Sequence, residues 1–332
     1  MKILLTAPYN QEARQTLAEK IGAELVYQSW KVHQRPYSED ELIALLKDTK
    51  AEALITEHDR VTKKVIDSHP LAFIGVCRGT PSNVDVSEAS RKGIPVFHTP
   101  ARNAQAVAEL WMANVITFMR HTFQGTEWLK SKQWSKGSHT AYLQFKGNEL
   151  CGKTVGMVGF GAVGQTIARI IRHFPCNVQF YDPYVTDYDK EYVKKSLEDV
   201  FRTSDIVSIH LPVTEQTKGM INQDLMDLMS EETIFVNTSR AVVVDKEALL
   251  GVIKEKRIKG AILDVYYHEP PDVWDYKLIE SSNVLATPHI AGATHEVEDH
   301  HATIMNQALE QWFVEKNDRI RQLANKDVLL KK

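Results

Sequence analysis

Three glycines and one aspartate give the sequence its first chemical signal. Gly159, Gly161 and Gly164 stand in the run Gly159-Phe160-Gly161-Ala162-Val163-Gly164, and Asp182 lies 18 residues beyond the last of them. A short apolar segment, Val155 to Val158, precedes the run. Gln165 to Phe174 follows it with Ile167, Ala168, Ile170, Ile171 and Phe174 at helical spacing. Pro175 stops that helix, and Val178, Phe180 and Tyr181 form a second strand ending at Asp182. Gly159 permits a tight turn, Gly161 lets an anion approach the backbone, and Gly164 lets the helix pack on the sheet. The helix N-terminus offers unpaired N–H groups to phosphates, and a carboxylate at the next strand end accepts from ribose hydroxyls. The chemistry is that of holding a dinucleotide.

A second set of reactive side chains follows other apolar runs. His210 follows Ile206 to Ile209, and Thr238-Ser239-Arg240 follows Thr233 to Asn237. Asp264 closes Ala261 to Leu263, and Pro288-His289 follows Val284 to Thr287. Parallel sheets bind ligands beyond the carboxyl ends of their strands. Four strand ends therefore converge on one rim. Taken singly, His210 also reads as a satisfied structural histidine, Asp264 as a turn cap and Arg240 as a surface arginine.

The elements that position these residues alternate along the chain. Before residue 100, strands are expected at Ile3–Thr6, Leu25–Tyr27, Ala53–Thr56, Phe73–Cys77 and Pro95–Phe97. Helices are expected at Glu12–Ile21, Ser38–Leu46, Thr62–Asp67 and Ser87–Lys92, with Ser38 and Glu41 as a capping box. Asn103–Arg120 reads as one long connecting helix, and His121–Leu150 as less regular, with Trp128 and Trp134 as anchors. The glycine-rich unit then supplies six strands alternating with helices, and Glu296–Val314 closes the chain as an amphipathic helix. The fold class is α/β, with two doubly wound parallel-sheet domains.

Composition bounds the partners. The 332 residues are 43% hydrophobic and 25% charged, with a formal net charge of -3. This balance gives no reason to expect a nucleic acid or a membrane as partner. Cys77, Cys151 and Cys176 lack paired or metal-ligand spacing, and no metal is expected. The N-terminus turns polar too early for a signal peptide, so a cytoplasmic location is expected.

Further motifs tie the whole chain to one family. His210-Leu211-Pro212-Val213-Thr214-Glu215-Gln216-Thr217 resembles an H-x-P-x-T-x-x-T pattern. Asn237-Thr238-Ser239-Arg240 resembles N-x-[SA]-R, with Ala241 where glycine is frequent. Asp264 to Pro270 matches D-V-x-x-x-E-P, and Thr287 to Gly292 matches T-P-H-I-A-G. Asn83-Val84-Asp85, Thr99-Pro100, Asn103 and Val107-Ala108-Glu109 match as well. The chain resembles the D-isomer-specific 2-hydroxyacid dehydrogenases.

The resemblance implies a catalytic set of Arg240, Glu269 and His289. Histidine delivers a proton to the carbonyl oxygen of a 2-oxo acid near neutral pH, a carboxylate orients its ring, and arginine holds the substrate. The implied cofactor-binding set is Gly159, Phe160, Gly161, Ala162, Val163, Gly164, Asp182, His210, Leu211, Pro212, Thr217, Thr238, Ser239, Arg240, Asp264, His289 and Gly292. The implied architecture is a flavodoxin-like substrate domain, residues 1–100 and 290–332, with a Rossmann domain inserted at 101–289. A homodimer paired through the long helix and the stretch after it is also implied.

One stretch departs from the family pattern. The substrate loop G-x-G-x-x-N-[VI]-D is replaced by Cys77-Arg78-Gly79-Thr80-Pro81-Ser82-Asn83-Val84-Asp85. Arg78 and Gly79 are the expected substrate-binding residues here, and Arg78 adds a positive charge. Asp182 lacks a nearby arginine and repels a 2′-phosphate, which favours NAD over NADP. The reaction expected is interconversion of a small 2-oxo acid and its D-2-hydroxy acid. The alternative is an NAD-sensing, corepressor-like binding protein on the same fold.

Overall fold

A computed structural model of the chain describes residues 1–331. The chain divides into two compact units, Met1–Asn103 with Thr294–Lys332, and Ala104–Ala293.

The first unit opens as β1 (Lys2–Leu5), α1 (Gln11–Ile21), β2 (Glu24–Tyr27), α2 (Glu39–Thr49), β3 (Ala53–Thr56), α3 (Lys63–Ser68), β4 (Ile74–Val76), α4 (Val86–Arg91) and β5 (Val96–His98). The strands form one parallel sheet in the order β2-β1-β3-β4-β5. Helices cover both faces, so β3 is buried at every residue and β1 at all but Lys2. Local chemistry sets the helix ends. The Ser38 hydroxyl accepts from the Glu41 N–H at 3.4 Å, and the Glu41 carboxylate accepts from the Ser38 N–H at 2.8 Å, the expected capping box. Gly22 ends α1 in the left-handed conformation at φ 62°.

The second unit begins with α5 (Ala104–Met119), the expected long helix. The stretch expected to be irregular holds two short helices, α6 (Thr122–Lys130) and α7 (Ser138–Gln144). Neither buries a residue, so neither carries the apolar stripe that marks a helix in sequence. Trp128 packs against Trp134 and Phe145 at ring distances of 5.9 and 5.4 Å, anchoring this stretch on itself. Then follow β6 (Thr154–Val158), α8 (Ala162–Ile171), β7 (Asn177–Tyr181), β8 (Val193–Lys194), α9 (Leu197–Thr203), β9 (Ile206–Ile209), α10 (Gln223–Met226), β10 (Ile234–Asn237), α11 (Lys246–Lys254), β11 (Gly260–Leu263), α12 (Val273–Ile279) and β12 (Val284–Ala286). The sheet is parallel throughout, in the order β12-β11-β10-β9-β6-β7-β8. It has seven strands instead of the expected six, because the exposed two-residue β8 pairs on the edge beside β7.

The chain then returns to the first unit with α13 (Glu296–Phe313). Ala302, Met305, Ala308 and Leu309 of this helix join Ile3, Leu5, Ile55, Phe73 and Phe97 in one core. The last segment runs along β5. His98 N–H donates to the Gln322 carbonyl at 2.9 Å and Ala324 N–H to the Val96 carbonyl at 2.8 Å. All three cysteines are free thiols. Among the described residues, no helix is long and apolar enough to cross a membrane.

Candidate active site

The glycine turn between β6 and α8 is built as its sequence requires. Gly159 sits at φ 92°, and a Cβ there would fall 2.7 Å from the His210 carbonyl oxygen. A side chain at this position is excluded twice over. A Cβ on Gly161 would meet no atom within 4 Å, so open space lies against this backbone. No side chain caps the N-terminus of α8. Open space beside uncapped N–H groups fits the pyrophosphate of a dinucleotide.

Asp182 ends beside this turn. Its Oδ2 accepts from the Phe160 N–H at 2.8 Å, and its Oδ1 from Tyr184 and Val185 at 2.8 and 3.2 Å. The carboxylate thus fixes the glycine turn to the end of β7 while keeping lone pairs for ribose hydroxyls. The Phe160 ring is buried, stacked on Phe180 at a centroid distance of 4.0 Å. It serves the core, and only its backbone belongs to the turn. Ala162 and Val163 begin α8.

Strand register brings the other site residues into one row. Ile209 pairs with Asn237, Asn237 with Leu263, and Leu263 with Ala286. The segments starting at His210, Thr238, Asp264 and Thr287 therefore leave the sheet side by side. His210 is held within the unit. Its Nε2 lies 2.9 Å from Ser208 Oγ, which also accepts from the Trp111 indole N–H at 2.8 Å. Burial pushes the His210 imidazole down to about 3, so the ring is neutral. Leu211 is buried, and Thr217 closes the next loop by donating from Oγ1 to the Pro212 carbonyl at 2.6 Å.

Asn237 shapes the turn that carries Arg240. Its side chain accepts from Ser239 N–H at 3.0 Å and Ser239 Oγ at 2.9 Å, and donates to the Arg240 carbonyl at 3.0 Å. Thr238 Oγ1 is buried without a hydrogen-bond partner. The Arg240 side chain is exposed and donates from Nη1 to the Ser239 carbonyl at 2.7 Å.

Asp264 organises the loop of His289. The buried carboxylate accepts from Thr287 Oγ1 at 2.6 Å, Ile290 N–H at 3.0 Å and Ala291 N–H at 2.9 Å. These contacts bracket His289, whose backbone holds a left-handed φ of 53°. Its Nδ1 lies 2.7 Å from Glu269 Oε2, and both side chains are 41% exposed. Glu269 Oε1 accepts from the Tyr266 N–H at 3.2 Å. The Glu269 carboxylate can only accept, so Nδ1 carries the proton and Nε2 is left to exchange one with a ligand. Gly292 follows this loop directly.

The substrate-loop residues belong to the first unit. Arg78 and Gly79 follow β4, with the Arg78 carbonyl accepting from Thr99 N–H at 2.9 Å and the Gly79 carbonyl 2.7 Å from His98 Nδ1. Asn83 donates to the Asp59 carbonyl at 2.8 Å, and Asp85 caps α4 by accepting from Glu88 N–H at 3.0 Å. Near the same strand ends lies a charged group that sequence reasoning did not single out. Glu57, Arg102 and His301 meet there from positions 45 and 199 residues apart. No spacing rule connects such distances, and the only sequence signal was a pair of charges at strand ends.

The two doubly wound sheets, the glycine turn and the row of polar strand ends define a nucleotide-dependent oxidoreductase. Residues 112–291 match the family model described as D-isomer specific 2-hydroxyacid dehydrogenase, NAD binding domain. The chain is 59% identical over 330 residues to "Putative 2-hydroxyacid dehydrogenase YoaD" of Bacillus subtilis (strain 168), covering 99% of this chain and 96% of that one. It is 34% identical over 301 residues to the hydroxypyruvate reductase of Thermotoga maritima, covering 90% and 93%. The solved structure of D-2-hydroxyisocaproate dehydrogenase shares the fold with a TM-score of 0.82 at 23% identity, covering 98% and 100%. The chain belongs to the D-isomer-specific 2-hydroxyacid dehydrogenases, and its cofactor is NAD.

Proposed function

We propose that the protein interconverts a small 2-oxo acid and its D-2-hydroxy acid, with His289 as acid–base, Glu269 as its partner and Arg240 binding the substrate. The 2.7 Å contact between His289 Nδ1 and Glu269 Oε2 carries this reading. The glycine turn and Asp182 would hold NAD, which when bound would supply the hydride chemistry at C2 of the substrate. In the direction of reduction, His289 gives the proton on Nε2 to the carbonyl oxygen, and Glu269 stabilises the imidazolium beforehand. The Arg240 guanidinium offers a planar fork of donors to the substrate carboxylate. Asp182 accepts from the adenosine ribose, and the backbone from Gly159 to Gly164 receives the pyrophosphate. Leu211, Pro212, Thr217, Thr238, Ser239, Asp264 and Gly292 complete the cofactor pocket, Asp264 by holding the His289 loop. Residues 1–100 and 290–332 form the substrate domain, where Arg78 and Gly79 meet the acid.

A homodimer completes the reading. Phe123, Leu129, Trp134, Tyr142 and Leu143 are exposed on or beside α6 and α7, more apolar surface than a solvated helix pair needs. Light scattering at micromolar concentration should give twice the chain mass. A monomer would remove this part of the proposal. The free thiols fit a cytoplasmic location.

The test is NADH consumption with glyoxylate, pyruvate, hydroxypyruvate, longer 2-oxo acids and phosphohydroxypyruvate. Turnover of at least one supports the proposal. NADH binding without turnover of any would point instead to an NAD-sensing protein.

A further inference from the structure

Glu269 and His289 both belong to the second unit but leave it on separate loops, one after β11 and the other after β12. Both side chains are 41% exposed. An exposed ion pair is too weak to fix its own geometry, because water and side-chain entropy compete with it. Proton transfer nevertheless needs the imidazole in one orientation. Asp264 holds the loop of His289. The tie between that loop and the loop of Glu269 is a third residue, Tyr266.

Tyr266 reaches both members of the pair. Its backbone N–H donates to Glu269 Oε1 at 3.2 Å. Its hydroxyl lies 2.9 Å from the Thr287 carbonyl and 3.4 Å from the Leu263 carbonyl. A phenol has one proton to give. The Leu263 carbonyl already accepts from the Thr287 N–H at 2.9 Å, so the Tyr266 proton goes to the nearer Thr287 carbonyl. The same carbonyl accepts from the His289 N–H at 3.0 Å. Tyr266 thus braces two things at once: the carboxylate that meets the ring, and the carbonyl on which the left-handed His289 turn closes.

The brace is itself fixed. Tyr266 is buried, and Asp275 pins the backbone that follows it. The Asp275 carboxylate, fully buried in the first turn of α12, accepts from the Tyr267 and His268 N–H groups at 3.0 Å each. Burial first, then the charges of Asp264, Glu269 and Asp275, push the Tyr266 phenol up to about 12. The hydroxyl therefore keeps its proton, and remains a donor, at neutral pH.

We propose that Tyr266 is a positioning residue of the reaction, its hydroxyl holding the His289 turn where Nδ1 meets Glu269. This rests on the reading in which His289 exchanges the proton with the substrate.

The experiment uses Tyr266→Phe, which keeps the ring and the backbone N–H and removes only the hydroxyl. The Thr287 carbonyl still has the His289 N–H, so no buried group is orphaned. kcat for reduction of the best 2-oxo acid should fall about tenfold, one hydrogen bond's worth, with KM for the acid and for NADH nearly unchanged. In a His289→Ala background the same change should cost nothing more, because its effect passes through the ring. Nitrogen spectra of protein labelled with 15N-histidine, in alkaline buffer and assigned with His289→Gln, read the ring directly. Wild type should show the Nδ1–H tautomer of His289, and Tyr266→Phe should gain the Nε2–H form. Unchanged kcat, an unchanged tautomer, a rise in KM alongside the fall in kcat, or a further loss in the His289→Ala background overturns the proposal. His289→Ala alone keeps the two readings apart. If it reduces the acid as fast as wild type, the reading of His289 fails and Tyr266 has no part in the reaction. If it is slow while Tyr266→Phe matches wild type in rate and tautomer, only the brace fails.

Discussion

His289 Nδ1 and Glu269 Oε2 stand 2.7 Å apart, and this contact leaves Nε2 as the ring nitrogen free to exchange a proton. His289→Ala should therefore lower kcat by about 10²–10⁴-fold, the usual worth of general acid–base assistance. NADH affinity, followed by fluorescence titration, should be nearly unchanged. Glu269→Gln should cost less, because an amide oxygen still orients the ring. Reduction of the best 2-oxo acid by His289→Ala at the wild-type rate would remove the proposed mechanism.

The loop of His289 depends on Asp264, which accepts three hydrogen bonds in full burial. Asp264→Asn turns one acceptor into a donor facing a donor. A loss of about 1–3 kcal/mol is expected in denaturant melts, with a fall in kcat as the left-handed turn at His289 relaxes. Thr287→Val removes only one of the three bonds and should do less on both measures.

Asp182 serves two ends, the proposed ribose site and the Phe160 N–H of the glycine turn. Asp182→Ser should weaken NADH binding and narrow its advantage over NADPH. Steady-state KM values for both cofactors would show it. Equal use of the two by wild type would show that Asp182 does not select the cofactor.

His301 gives the fold a pH dependence of defined sign. Burial lowers its pKa, against the pull of the Pro8 carbonyl, Glu57 and Glu298 and with the push of Arg102. The unfolded chain therefore binds the proton more readily. Its contribution to stability is full above the unfolded value of about 6.5 and is lost as pH falls towards the folded value. Melting curves from pH 8 to pH 5 should show it. His301→Gln, whose amide can accept from Arg102 and donate to Pro8, should flatten the slope. An unchanged slope would assign the acid sensitivity elsewhere, with His210 the next residue to change.

The parts legible in sequence were those built from contiguous residues. The glycine turn, Asp182 and the strand ends all lie beside short apolar runs, and of these β6, β9, β10 and β11 are buried at nearly every residue. The α6 and α7 helices were not legible, since helices that bury no residue leave no stripe to read. Phe174 was read on the helical face of α8, yet the helix ends at Ile171 and Phe174 is 39% exposed. Asp264 and Arg102 show a different limit. Asp264 was marked by its place at a strand end, whereas Arg102 drew no reading from sequence. Only the folded backbone shows that the carboxylate of the first is spent on a loop and that the guanidinium of the second meets Glu57 and His301.

The last segment of the chain, laid along β5, has a consequence for synthesis. Every residue of the second unit has been synthesised by position 293, whereas the first unit waits for α13 and for Gln322 and Ala324 to cover its edge. The half of the molecule that is translated first is thus the half that is finished last. Until then the β5 edge presents unpaired backbone groups to any neighbouring nascent chain.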